Sequence, residues 1–235
     1  MSLTSPIAAA MPPRDHSRHA APQVFDYLRD QIIRLALPPG SLISRQALQE
    51  LFGFSSTPVR DALMRLQEES LVEIFPQHAT VVSRIDVRLA RQAQFLRRSL
   101  EQECVRILAE APDRQRVADR LRLVIERQRA LLALADLEAF NEADQAFHSA
   151  VFEAAGVPDL WLLVRRRSGH IDRIRRLHLP VAGKAEQIIA DHEAIVDAIA
   201  SGSPAEAEGA LRSHVSRSLA FTDNLRSQWP TYFRE

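Results

Sequence analysis

The sequence predicts a mainly α protein: a small three-helix module closed by a β-hairpin, then an antiparallel all-α helical bundle. Three observations predict it. Strand-like runs are confined to 71–75 and 80–83. Beyond Arg84, apolar residues keep a helical spacing to the end of the chain. The interruptions fall at Pro112, Gly156-Val157-Pro158, Pro180 with Gly183, and Gly202-Ser203-Pro204, leaving helix-length segments joined by short connections.

The first helix carries Val24, Phe25, Leu28, Ile32 and Leu35 on one face, and Pro38-Pro39-Gly40 stops it. A second helix, 44–52, turns Leu48 and Leu51 inward and ends at Gly53, a natural residue just past a helix end. Ser55 or Ser56 caps the third, and Pro58 falls in its first turn, where a missing N–H costs nothing. Val59, Ala62, Leu63 and Leu66 face inward along it. The two strand-like runs are joined by Pro76-Gln77-His78-Ala79, so 22–83 reads as a winged helix-turn-helix. Six further helices are expected at 87–111, 113–136, 137–155, 158–178, 184–201 and 203–226, within a domain spanning 84–229. Residues 1–21, rich in Ala, Pro and His and without a secretory-signal pattern, read as a disordered arm, and 230–235 as a tail.

Composition excludes more than it selects. The 235 residues allow two modest domains, each with its own core. Thirty basic and thirty acidic residues cancel, so net charge names no partner. A single cysteine, Cys104, rules out an internal disulfide framework and suits a reducing, cytoplasmic setting. The longest apolar stretch, 131–140, is cut by Asp136 and Glu138, so no membrane span is expected. Within 22–83, five arginines face seven carboxylates, a net of −2. That is not the footprint of a strong DNA binder, and composition leaves DNA and a protein partner equally open.

Particular residues decide between them. Leu37-Pro38-Pro39-Gly40-Ser41-Leu42, the run Gly53-Phe54-Ser55-Ser56-Thr57-Pro58-Val59-Arg60-Asp61-Ala62-Leu63, and Leu71-Val72-Glu73 resemble the GntR family of bacterial regulators. The helical half resembles that family's FadR-type effector domain, FCD. The resemblance implies a transcriptional regulator that acts as a homodimeric repressor on a palindromic double-stranded DNA operator and answers to a small molecule. It places Ser55, Ser56, Thr57 and Arg60 at the start of the recognition helix, with Arg45 on the preceding helix and His78 on the wing. Hydroxyls and unpaired N–H groups at a helix start suit phosphate oxygens, and an arginine there can grip phosphate or a guanine edge. Three positions depart from the family pattern: Ser56 and Gln46 stand where arginine is usual, and Ala79 where the wing usually turns on glycine. Base preference is expected to differ accordingly.

In the effector half, Asp144 and His148 lie four residues apart and so share one helix face. His192 and His214 lie on two other expected helices. Singly, each is an ordinary polar residue or surface pair. The family resemblance implies that the four converge on a divalent metal, and three imidazoles with one carboxylate suit Zn²⁺ or Ni²⁺. It also implies that Arg97 faces the pocket and holds a small carboxylate effector. Trp161 and Phe147 are pocket walls or core, and His170 and His178 read as ordinary helix residues. Two other readings stay open: a metal-dependent hydrolase-like bundle, for which no general base is apparent, and a regulator with a metal-independent acyl-type effector. The expectation is a regulator and not an enzyme.

Overall fold

The computed structural model describes Asp15, residues 17–76 and residues 78–235. Most of the expected arm lies outside the described residues, and its last two, Ala20 and Ala21, already belong to the first helix. The chain divides into two units, one running to Val87 and including Asn224–Glu235, the other Arg88–Asp223.

The first unit opens with α1 (Ala20–Ile33), α2 (Arg45–Phe52) and α3 (Ser56–Glu68). Ser44 caps α2, its Oγ accepting from the Ala47 N–H at 3.1 Å, and Gly53 ends it in the left-handed region that glycine adopts without strain. Val24, Leu28 and Ile32 of α1 meet Val59, Leu63 and Leu66 of α3 in a closed apolar core. Strands β1 (Val72–Phe75) and β2 (Ala79–Val82) pair antiparallel with Phe75 opposite Ala79. The segment expected only to stop α1 also bonds to β2. Leu42 bridges Val81, and backbone bonds run from Gly40 N to Val82 O, Val82 N to Ser41 O and Ile43 N to Thr80 O, each at 2.8 Å. Ala79, where the resemblance led to an expectation of glycine, begins β2 without a positive φ, so that position needs no glycine here.

The chain's last residues also belong to this unit. Ile85 donates to the Tyr232 carbonyl at 2.8 Å, Arg234 donates back to Ile85 at 2.9 Å, and Ile85 and Phe233 are both buried. The segment 230–235, expected as a tail, therefore pairs with the residues leading out of the wing.

The second unit contains α4 (Val87–Glu110, from Arg88 on), α5 (Arg114–Ala133), α6 (Leu137–Ala154), α7 (Pro158–Arg167), α8 (Gly169–His178), α9 (Lys184–Ser201) and α10 (Pro204–Ser216). Helix α5 packs on α6 and α9, and α9 on α10, around one core that includes Phe140, Phe147, Phe152, Ile195 and Leu211. Two expected helices are broken. The 158–178 segment divides at Ser168, whose Oγ donates to the Val164 carbonyl at 2.8 Å, a back-bond that bends helices. The 203–226 segment ends its α-helix at Ser216. Gln94 Nε2 donates to the Val215 and Ser216 carbonyls there, and a 3-10 turn (Arg217–Leu219) precedes α11 (Thr222–Gln228).

Candidate functional site

Helices α6, α9 and α10 bring Asp144, His148, His192 and His214 together. One ligand atom from each lies within 4.8 Å of all the others, and all four side chains are buried. Nε2 of His148 and of His214 are 3.3 Å apart, and Asp144 Oδ1 stands 4.0 Å from His148 Nε2 and 3.8 Å from His192 Nε2. Atoms bound to one ion at about 2.1 Å would be spaced about 3–4 Å apart.

What surrounds the quartet fixes its protons. His148 Nδ1 lies 2.8 Å from Glu101 Oε2, His192 Nδ1 3.0 Å from Gln128 Oε1, and His214 Nδ1 3.3 Å from Asp191 Oδ2. Each Nδ1–H is thereby claimed by an oxygen, which assigns the lone pair of each ring to the inward Nε2. Those lone pairs then face one another and Asp144 Oδ1, with no proton between them. His192 Nε2 and Asp144 Oδ1 have no hydrogen-bond partner among the described residues. Buried acceptors left so are costly, and a cation is what this donor set fits.

Electrostatics agree. Burial pushes His148 down to about 4, helped by Arg97 and opposed by Glu101. Burial, then the neighbouring His214 and His148, hold His192 well below the ordinary imidazole range. Burial alone would raise Asp144, yet Arg175 and the imidazoles pull it well below the carboxylate range. The same contest takes Glu101 to about 2, with Arg97 and His148 prevailing over burial. The resting site holds neutral imidazoles and ionised carboxylates, the states a metal requires.

Arg97, expected to face the pocket and hold a carboxylate effector, pairs here with a carboxylate of the chain itself. It is buried, its Nε donates to Glu101 Oε1 at 2.6 Å, and it does not line the cavity beside the quartet. Its partner Glu101 needs a compensating charge while holding His148; the guanidinium also lowers His148 and His192 directly, and its NH2 has no hydrogen-bond partner among the described residues. The cavity is lined instead by Asp144, Arg175, His178, Lys184, Ile188 and His214 among others, and Arg175 donates to Asp144 Oδ2. His178, expected as an ordinary helix residue, lines this cavity and packs on Phe221 with ring centroids 4.3 Å apart. Phe147 stacks on His192 at 3.8 Å and Trp161 lies beside His148, so both are core residues bracing imidazoles.

Glu101, Gln128, Asp191 and Arg175 were missed in the sequence. One signal existed for Glu101: with Arg97 it forms an i,i+4 ion pair on the face of α4 that also buries Ala93, Cys104 and Leu108. Gln128 and Arg175 carry no comparable mark, because their partners are 64 and 31 residues away.

In the first unit, Ser55 is the N-cap residue of α3 and makes no side-chain cap bond, while Ser56, Thr57 and Arg60 are exposed on its first turns. Arg60 Nε stands 3.9 Å from Asp61 Oδ1, too far for a hydrogen bond. Met64 and Gln67 continue this exposed face. Arg45 begins α2 and His78 sits at the wing's turn, both exposed, and both line a groove with Phe75 and Thr80. The structure thus leaves all six expected DNA-binding residues accessible.

Comparison with known proteins identifies the family. The family described as bacterial regulatory proteins, gntR family, matches residues 20–82, and the FCD domain matches residues 92–217. The chain belongs to the GntR family. An uncharacterized HTH-type transcriptional regulator in an unstable DNA locus of Streptomyces ambofaciens is 33% identical over 210 residues, covering 89% of this chain and 88% of its own length. The HTH-type transcriptional repressor RspR of Escherichia coli K12 is 24% identical, covering 91% of this chain and 93% of its own. Among solved structures, E. coli McbR/YncC shares the fold with a TM-score of 0.72 at 20% identity, over 88% of this chain and 99% of that one. This GntR-family chain is a DNA-binding transcriptional regulator with an FCD effector domain, and its relatives are regulators, not enzymes. No helix among the described residues is long and apolar enough to cross a membrane.

Proposed function

We propose that the protein is a homodimeric repressor that binds a palindromic operator and senses a small organic acid through one divalent metal, Zn²⁺ or Ni²⁺, held by Asp144, His148, His192 and His214. The observation that carries this reading is the convergence of three lone-pair-bearing Nε2 atoms and an unpartnered carboxylate oxygen inside the bundle. A divalent ion bound there supplies coordination positions that a carboxylate oxygen can fill.

The chain's own residues do the rest. Glu101, Gln128 and Asp191 orient the three rings, and Arg175 fixes the second oxygen of Asp144. Because the ligands come from three helices, occupancy ties α6, α9 and α10 together, and an effector that prefers one arrangement of them can bias the DNA-binding half. On DNA, Ser55, Ser56, Thr57 and Arg60 meet the major groove, while Arg45 and His78 hold backbone phosphates. A second copy of the chain covers exposed apolar side chains of the helical unit such as Phe95, Leu123, Leu134 and Leu162. RspR, similar along most of both chains, is described as a repressor, which favours that sign of regulation.

Elemental analysis with thermal melting tests the sensor. The purified protein is expected to carry about one metal per chain, and a chelator is expected to lower its melting temperature. His192→Ala with His214→Ala should abolish metal content and leave operator binding largely intact. Stoichiometric metal in the double variant, or none in the parent after metal supplementation, overturns the reading and leaves a metal-independent acyl-type effector as the alternative.

A further inference from the structure

The stretch of chain that follows His214 is gripped at both ends by residues that lie close together in sequence. At its start, Gln94 of α4 donates to the Val215 carbonyl at 2.9 Å and the Ser216 carbonyl at 3.3 Å, directly after a member of the quartet. Arg217 donates to Asp191, the same carboxylate that meets His214 Nδ1. At its far end, the Tyr232 carbonyl and the Arg234 N–H bond to the backbone of Ile85, two residues before α4 begins. Phe233, between them, is buried, as is Ile85.

Between these grips the chain is stiff. A 3-10 turn (Arg217–Leu219), α11 and a second 3-10 turn (Pro230–Tyr232) fill most of it, and Trp229 N donates to the Leu225 carbonyl at 2.8 Å. Residues 215–234 contain no glycine and one proline, so they lack the small residue that hinges commonly use. A displacement at one end is then passed along and not absorbed by backbone rotation. The chain leaves the first unit after Val87 and re-enters it at Asn224. This stretch is therefore a second covalent connection between the units, and it starts beside a quartet histidine.

We propose that residues 215–234 are the coupling element of the sensor, and that Gln94 is the positioning residue that sets them against the quartet. This rests on the sensor reading above and adds the route by which occupancy reaches the lead into α4. Occupancy fixes the His214 ring and with it the end of α10. Gln94 and Arg217 hand that restraint to the stretch that closes on Ile85. Coupling of this kind is reciprocal, so it is measurable from either end.

Hydrogen exchange on the full chain, with and without Zn²⁺, reads the first direction. Zn²⁺ should slow exchange of the Ile85 and Arg234 amides by about 5-fold or more and leave those of Ile43 and Val82 unchanged. Gln94→Met keeps the side-chain length and removes the donor, so it should keep metal content and lose the slowing. Chelator competition reads the other direction, and decides alone if Gln94→Met fails to fold. Phe233→Ala, made in the first unit, should weaken Zn²⁺ binding by about the same factor. Exchange at Ile85 and Arg234 that ignores Zn²⁺, in a parent that binds it, overturns the coupling element alone. So does slowing that survives in Gln94→Met, or unchanged Zn²⁺ affinity in Phe233→Ala. A parent that takes up no metal overturns both this inference and the sensor reading.

Discussion

Glu101 holds His148: its Oε2 lies 2.8 Å from His148 Nδ1, while its Oε1 accepts from Arg97 Nε at 2.6 Å. One buried carboxylate thus joins the first helix of the effector domain to a ring of the quartet, and the ion pair that neutralises it lies on that helix. Losing such an orienting partner typically costs 10–100-fold in metal affinity, by the rough experience of other sites. Glu101→Gln is expected to weaken metal by about that range, and also to destabilise the fold, since Arg97 loses its buried counter-charge. Gln128→Leu removes the partner of His192 without stranding a charge and should weaken metal, at a stability cost of about 1–3 kcal/mol for the buried Nδ1–H it leaves unpaired. Competition against a chromophoric chelator measures both, and unchanged affinity in Gln128→Leu would show that the His192 contact does not orient a ligand.

Acid should destabilise the metal-free protein. His148 takes a proton only near 4 in the fold, through burial and Arg97, against an ordinary value of 6.5. Between those limits the unfolded chain binds more protons than the native one, so stability falls as pH drops from 6.5 toward 4. Glu101, held at about 2, and Asp144, held well below its ordinary value, add losses in the same direction at lower pH. Melting of chelator-treated protein across this window should show a falling midpoint, and a flat profile would contradict neutral buried imidazoles.

Arg60→Ala should weaken operator binding and reduce the slope of log affinity against log salt by about 1, as expected for one lost phosphate contact. Ser56→Arg should strengthen binding to DNA in general. A salt titration by fluorescence anisotropy reads both changes. An Arg60→Ala protein that tracks the parent at every salt would place the DNA-binding face elsewhere.

Phe147→Ala should cost about 3–5 kcal/mol, since it empties a fully buried site and removes the ring stacked on His192. Denaturant unfolding measures the cost. Metal affinity should fall in the same variant, which an ordinary core position would not affect.

Cys104 should be inert in the folded state. Burial, then Glu101, push its thiol up to about 12, so little thiolate exists at neutral pH. A thiol reagent should react slowly with native protein and fully in denaturant, reporting the opening of the helical unit. Fast labelling of native protein would mean that α4 opens readily around this position.

Much of this protein is local and was therefore legible in the sequence. Apolar spacing with Pro and Gly breaks marks where helices run, because a helix is set by contacts three and four residues apart. Asp144 and His148 share a face for the same reason, and the run from Ser55 to Leu63 identifies the recognition helix. Tertiary structure decided what depends on distant pairs. The bridge of Leu42 to Val81 forms by bonding of residues 40–43 to β2, and the break after Ser216 is stabilised by Gln94, 121 residues away in the Val215 contact. The role of Arg97 turned on which acceptor its guanidinium meets once buried, and Glu101 lies one helical turn away. Arg175 of α8 reaches Asp144 of α6 only in the packed bundle, a pairing visible in no stretch of sequence.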